Sequence, residues 1–471
     1  MRRLEVGGIV LAALDAAARE TMLFAAVGFL IGGIDDLAVD LVFLTVWARR
    51  RLSPASIGNG DGTLAEYPAR PTPRRFAVFV PAWDEAAVIG AMLRTTLARF
   101  GAADYRVYVG AYPNDRATID AVAAIAGQAA RVRLVIGGVA GPTTKADCLN
   151  TLWHALQRDA AGGWRADAIV LHDAEDVVDR HELRIYDALL DRYAVVQLPV
   201  LPLIDRRARL VSGHYADEFS EAHTKNLVVR QALGAGLPLA GVGCAIARDS
   251  LAAVAAARGG NPFDGGSLTE DYELGLMLSQ RGATGVVARI REGAGTPLVA
   301  VRAYFPATLE TAVRQKARWM IGIAFAGWDR LGWARARHWS EHWMRMRDRR
   351  APLAMLVLAV AYVALLGWGA SNLAHWLAAT PIPRVGTATA VLLRVNAAML
   401  LWRLVARVAF TTRDYGWREG LWSLPRMLVA NLIALLAVRR AVWRYAAMLR
   451  GADVRWDKTA HVFPDDAAIE P

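Results

Sequence analysis

The 471-residue chain has two cysteines, Cys148 and Cys244, and neither stands in a CxxC or CxxxH setting. That excludes a disulfide framework and a cysteine-built zinc site, and predicts two reduced, buried thiols on a cytosolic domain. No small-residue cleavage site succeeds the first long apolar run, which ends in arginines, so no cleavable signal peptide is expected. Charged residues are only 21% of the chain, against 55% hydrophobic residues and a mean hydropathy of +0.25. The chain is too apolar for an ordinary soluble protein and too charged for a pure membrane bundle. One large soluble domain with several membrane segments fits. A basic face with interleaved aromatics on a known module is also missing, so nucleic acid is not an expected partner. The net charge of +11 instead suits basic residues that flank membrane spans and meet anionic lipid headgroups.

Hydropathy divides the chain. Residues 22–48 are apolar apart from Asp35, Asp36 and Asp40, which predict a break in the span, as a hairpin or an oblique helix. Arg49, Arg50 and Arg51 place the next segment in the cytoplasm. The expected organisation is an N-terminal membrane segment (1–51), a Pro/Gly/Ser linker (52–75) and a cytoplasmic α/β domain (76–310). Interfacial helices (311–350), transmembrane helices (351–440) and a cytoplasmic tail (441–471) complete it. Within the domain, FAVFVP, YRVYVGA, RVRLVIG and AIVLH alternate with amphipathic helical stretches. That alternation predicts a doubly wound, mostly parallel sheet with ligands beyond its carboxyl ends. Beyond 351 three apolar runs, the last being MLVANLIALLAV, are long enough or nearly long enough to span, and Arg394 in the second must turn inward or snorkel.

One strand end stands out. AIVLHDAED begins as a buried core strand and closes on Asp173, Glu175 and Asp176. Unpaired carboxylates crowded together repel and are costly to bury, so a metal ion or a basic side chain is expected there. If strand geometry continues, Asp173 and Glu175 point the same way, with Asp176 as the alternative second ligand. Taken alone, the cluster could be a surface acidic turn.

Four motifs in order, VPAWDE (80–85), HDAED (172–176), TED (269–271) and QKARW (315–319), resemble those of the family 2 inverting glycosyltransferases. QxxRW is the signature of that family's membrane-embedded polysaccharide synthases. The resemblance covers residues 75–330, and RWDKTAH (455–461) resembles the tail of related membrane transferases. It implies a GT-A fold flanked by N- and C-terminal transmembrane helices, at the bacterial inner membrane. It also implies a UDP-sugar donor and a growing polysaccharide or lipid-linked acceptor, and it is compatible with an outer-membrane export partner. A branch of such enzymes carries a further C-terminal regulatory module, and with the sequence stopping at 471 no cyclic-dinucleotide control is expected.

The resemblance also assigns roles. Pro81, Ala82 and Glu85 border the nucleotide pocket. Asp173, Glu175 and Asp176 hold Mg²⁺ or Mn²⁺ against the diphosphate, with Asp173 also counted in the donor site. Zn²⁺ should serve poorly, because no His or Cys ligand is in view. Asp271 takes the proton of the acceptor hydroxyl, and Glu270 pairs with a nearby base. The same stretch also reads as a helix start, with Thr269 as cap and acids in the first turn. Arg318 binds phosphate, while Gln315 and Trp319 meet the acceptor sugar from the same helix face. The helix carrying them also reads as an interfacial anchor. Lys145 lies near the donor. Where the family places paired aspartates at the second strand, this chain has GAYPND, leaving Asn114 and Asp115 as stand-ins. Gly241 and Gly243 read either as close-approach positions or as plain strand glycines. A spent scaffold would show broken motifs. A glycoside hydrolase would need no diphosphate clamp.

Overall fold

The β-branched runs become the strands of one seven-stranded sheet in a computed structural model, which describes residues 2–52, 60–452 and 461–464. The strands are β1 (Asp61–Thr63), β2 (Phe76–Pro81), β3 (Tyr105–Ala111), β4 (Val132–Ile136), β5 (Ala168–Leu171) and β6 (Val195–Gln197). They continue as β7 (Val200–Leu203), β8 (Cys244–Ala247), β9 (Gly285–Val287), β10 (Arg289–Arg291) and β11 (Val301–Tyr304). The central order is β4-β3-β2-β5-β8-β6-β9, parallel except that β8 runs against both its neighbours. Every residue of β2 and β5 is buried, as helices on both faces of a parallel sheet require. Those helices are α2 (Ile89–Phe100), α3 (Arg116–Ala126), α4 (Lys145–Ala161) and α5 (Glu182–Leu189). Both cysteines are free and buried, as predicted.

Register decides where the chemistry gathers. Phe79 pairs with Leu171, so the turns after β2 and β5 emerge side by side. A separate parallel pair, β7 with β11, aims its ends at α6 (Gly213–Glu221) and α10 (Leu309–Met320). Single π-helical turns join α6 to α7 (Leu227–Ala232) and α10 to α11 (Ala326–Leu331). The domain is completed by α8 (Arg248–Ala257), α9 (Glu270–Gln280) and α12 (Trp339–Arg349). The linker is shorter than its composition suggests, because β1 pairs with β10 and Leu64 and Tyr67 are buried in the core. Residues 53–59 of it lie outside the described residues.

Among the described residues, four helices are long and apolar enough to cross a membrane: α1 (Arg2–Leu52, from Gly7 on), α13 (Ala351–Leu377), α14 (Thr387–Tyr415) and α15 (Trp417–Met448). The predicted break in α1 does not occur. Its aspartates are neutralised in place: Asp35 by Arg350 at 2.7 Å, Asp36 by Arg347 at 3.0 Å and by Arg403, and Asp40 by Lys225 at 2.6 Å. Paired carboxylates need not interrupt a helix, since its backbone bonds are made regardless. Arg394 is exposed and donates to Ala390 O, reaching back toward its helix end as snorkelling requires.

Candidate active site

Beyond β2 the chain turns through Asp84 at φ 55°, with Pro81 and Ala82 buried behind it. Asp115 holds this turn: its carboxylate accepts from Asp84 N at 2.6 Å and from Thr118 N at 3.2 Å, capping α3. Asn114 is closed in a two-way pair with the Gly141 backbone. The two stand-ins expected to meet the nucleotide are thus committed to the backbone. Pro81, Ala82 and Asp115 frame the cavity of the site without lining it.

Strand geometry does not continue past Leu171, and the acids after β5 part company. His172 is fully buried, with Nδ1 2.9 Å from Asp176 and Nε2 2.8 Å from Glu182. Burial alone would discharge the ring, but Glu182 and Asp176 outweigh it and raise the imidazole to about 10. Asp176 also accepts from Asp173 N at 2.9 Å, through the same Oδ2 that meets His172, which makes it the clamp of the turn while it still lines the cavity of the site. Asp173 meets Lys145 Nζ at 2.6 Å. Burial works against that ammonium, yet Asp173 and Glu270 outweigh it and hold it charged. Glu175 points elsewhere, toward Glu85 and His461 of the C-terminal tail. His461 Nδ1 lies 2.8 Å from Glu85 and 3.2 Å from Glu175. Burial, with three neighbouring carboxylates, pushes the Glu175 carboxyl up to about 8 although His461 pulls it down.

Asp271 lies in the first turn of α9 as expected, but Thr269 makes no side-chain cap bond, and its hydroxyl is buried without a partner among the described residues. Asp271 Oδ1 accepts from Tyr272 N at 2.7 Å. Its other oxygen faces Gly241, where a Cβ would lie 2.4 Å away and φ is +76°. Gly241 is therefore a close-approach position, for the acid rather than for an acceptor. Burial raises the Asp271 carboxyl, and it pushes Glu270 up to about 7 against the pull of Lys145, 3.8 Å away. Glu270 thus has the basic neighbour predicted for it.

Opposite these acids α10 supplies Gln315, Arg318 and Trp319, and all three line one cavity of about 1030 Å³ with Lys145, Asp173, Glu175, Glu270 and Asp271. Among the described residues, Gln315 Oε1 and Arg318 Nε are buried without hydrogen-bond partners, as groups awaiting a ligand would be. Trp319 is held among Tyr215, Phe219 and Phe305, at ring separations of 6.0 to 6.4 Å. Two histidines that no motif role covers join this edge. His172 was the plain text of HDAED, and His461 closed the RWDKTAH motif, whose residues 455–460 lie outside the described residues.

A divalent ion fits this edge. Ligand atoms of Glu85, Glu175 and His461 all lie within 4.8 Å of one another, and the buried Glu175 Oε2 faces His461 Nδ1 at 3.2 Å. The expectation that no histidine is in view fails here, because the tail returns from far along the sequence.

Acids at the strand ends face a cationic helix across a cavity large enough for a nucleotide-sugar, on a mostly parallel sheet of the GT-A fold. Residues 73–322 match the family described as Glycosyltransferase like family 2, and the chain belongs to that family. It is 34% identical over 472 residues to bacteriophage adsorption protein B of Escherichia coli strain K12 and, equally, to bacteriophage N4 adsorption protein B of E. coli O157:H7. Those alignments cover 93% of this chain and 61% of each relative. The fold is similar to that of the mannosyltransferase PcManGT from Pyrobaculum calidifontis, in complex with GDP-Man and Mn²⁺. The TM-score is 0.54 at 17% identity, covering 89% of this chain and 99% of the other.

Proposed function

We propose that the protein is a metal-dependent, inverting glycosyltransferase of the bacterial inner membrane, moving a sugar from a UDP-sugar to a growing exopolysaccharide at the cytoplasmic face. One observation carries this reading: a single cavity is lined by Asp271 on one side and by Gln315, Arg318 and Trp319 on the other, with Asp173 and Glu175 between. Asp271, raised by burial and with Oδ2 unbonded among the described residues, takes the acceptor hydroxyl's proton as the hydroxyl oxygen attacks the anomeric carbon from the face opposite the leaving diphosphate. Arg318 meets the phosphate oxygens, Trp319 gives a flat wall to the acceptor ring, and Lys145 stands beside Asp173 to balance its charge. Glu85, Glu175 and His461 would hold Mg²⁺ or Mn²⁺, which supplies neutralisation of the diphosphate charge.

The identity of the base rests on family resemblance, and the mannosyltransferase of similar fold is complexed with GDP-Man. Membranes containing the protein, incubated with a panel of radiolabelled nucleotide-sugars, test it: release of nucleotide from UDP-sugars alone supports the reading, and release from none overturns it. An exported glycan needs an outer-membrane partner, and relatives named for bacteriophage adsorption suit a product displayed at the cell surface. A second reading, single transfer to a lipid-linked acceptor, is favoured by exposed Arg206 and Arg207 at the cavity beside Leu203 and Ile204. Product length separates the two.

A further inference from the structure

We infer that α15, apolar enough to span, does not cross the bilayer but lies flat on its catalytic-domain side, with its outer face in the acyl region of that leaflet. The inference rests on the membrane location proposed for the enzyme and adds the depth and direction of one helix. Thirty-two residues make a rod of about 48 Å, against a hydrocarbon core of about 30 Å. A crossing helix would leave the catalytic domain within a turn or two.

α15 never leaves it. Near its start Glu419 pairs with Arg209, and fully buried Arg426 donates to Asp217 Oδ1 at 3.2 Å and to Arg209 O at 3.0 Å. In the middle Ile433 is buried with Tyr215 of α6 and Ala312 of α10. Further on, Ala437 and Ala441 are buried against Ala317 and Ile321, and Tyr445 stacks on Phe325 at 5.1 Å. From Glu419 to Tyr445 the contact runs about 39 Å, more than the core is thick. The opposite side exposes Leu421, Leu424, Leu428 and Leu432, with Trp417 and Trp443 toward the ends and Arg439 and Arg440 exposed nearby. An apolar strip with aromatic ends and flanking arginines suits the headgroup–acyl boundary rather than water or a bilayer midplane.

The path of the chain agrees. α13 leaves the domain directly after α12, and α14 returns to it, with Tyr415 bonded to Pro202 O at 2.8 Å. Two crossings keep the tail on the catalytic side, where His461 meets Glu85 at 2.8 Å. A third crossing by α15 would put Leu449 on the far side, twelve positions before His461. So short a stretch would have to pass back through hydrocarbon.

The test uses full-length protein in phosphatidylethanolamine–phosphatidylglycerol vesicles, with single nitroxides at Leu421, Leu428, Leu432 and Val442 of α15. Val391, Leu393, Leu400 and Leu401 of α14 carry the reference labels. Relative accessibility to oxygen and to a polar nickel reagent reports depth. The α15 positions should share one depth, about 5–10 Å below the headgroups, while α14 changes by about 1.5 Å per residue. A depth profile along α15 that passes through the midplane overturns the inference. Low oxygen exposure on α15 alone, with α14 normal, would mean that a second copy or another protein covers the strip, and overturns lipid as its occupant. Loss of lipid exposure in both series would instead refute the membrane location itself, and the inference with it.

Discussion

Replacing Asp271 by Asn separates proton transfer from donor binding. The amide keeps the side chain's size, and its Oδ1 can still accept from Tyr272 N, now 2.7 Å away, so the start of α9 is preserved. What is lost is basicity at the oxygen beside Gly241. General-base catalysis contributes about 10²–10⁴-fold, or roughly 2.7–5.4 kcal/mol of barrier at about 1.36 kcal/mol per tenfold. Transfer should fall by that factor. Lys145 keeps its contact with Asp173 at 2.6 Å, so UDP affinity should change by roughly threefold or less, within the scatter of surface mutations. Asp173→Asn should do the reverse, weakening UDP binding and turnover together. Because burial raises the Asp271 carboxyl, the wild-type rate should also fall on acidification with a midpoint above the ordinary aspartate range, a limb the Asn variant lacks. Calorimetric titration with UDP and Mn²⁺ beside a product assay decides it. If Asp271→Asn lost UDP affinity as badly as Asp173→Asn, Asp271 would be a donor-site residue and the base would lie elsewhere.

Gly241→Ala places a Cβ 2.4 Å from the Asp271 carboxylate at a strained φ, so transfer should drop by roughly 10²-fold with UDP binding retained; unchanged kinetics would remove Asp271 from the reaction centre. His172→Leu leaves Asp176 and Glu182 buried without their shared partner, and thermal unfolding should show a loss of about 3–5 kcal/mol. Chelation should stop transfer, Mg²⁺ or Mn²⁺ should restore it, and His461→Ala should weaken Mn²⁺ binding measured without substrate; full activity in excess chelator refutes the ion. Glu175 is raised in the fold from 4.5 to about 8, so without a cation the stability it contributes is present below 4.5 and lost as pH rises through 8. Mn²⁺ competes with that proton, so its stabilising shift in Tm should be larger at pH 8 than at pH 6, and a pH-independent shift would exclude Glu175 as ligand. A periplasm-active reporter fused after Pro471 should be silent.

Much was written in short-range pattern. β-branched runs such as FAVFVP and AIVL became strands within a residue or two, because alternation with amphipathic helices admits few packings other than a doubly wound sheet. The motifs fell at strand and helix ends for the same reason, and QKARW placed Gln315, Arg318 and Trp319 on one cavity through helical period alone. Partnership was another matter. Three aspartates in α1 looked like a break because their cations sit 185 to 367 residues away, on Lys225, Arg347, Arg350 and Arg403. Asp173, Glu175 and Asp176 looked interchangeable, and only the fold sent one to Lys145, one to the tail's His461 and one to His172. MLVANLIALLAV is apolar enough to span, yet one face of α15 packs along its length against α6 and α10. Local sequence fixes period and polarity, which depend on neighbours along the chain; charge pairing and the choice between spanning and lying flat depend on what distant segments bring alongside, and those were decided by tertiary structure.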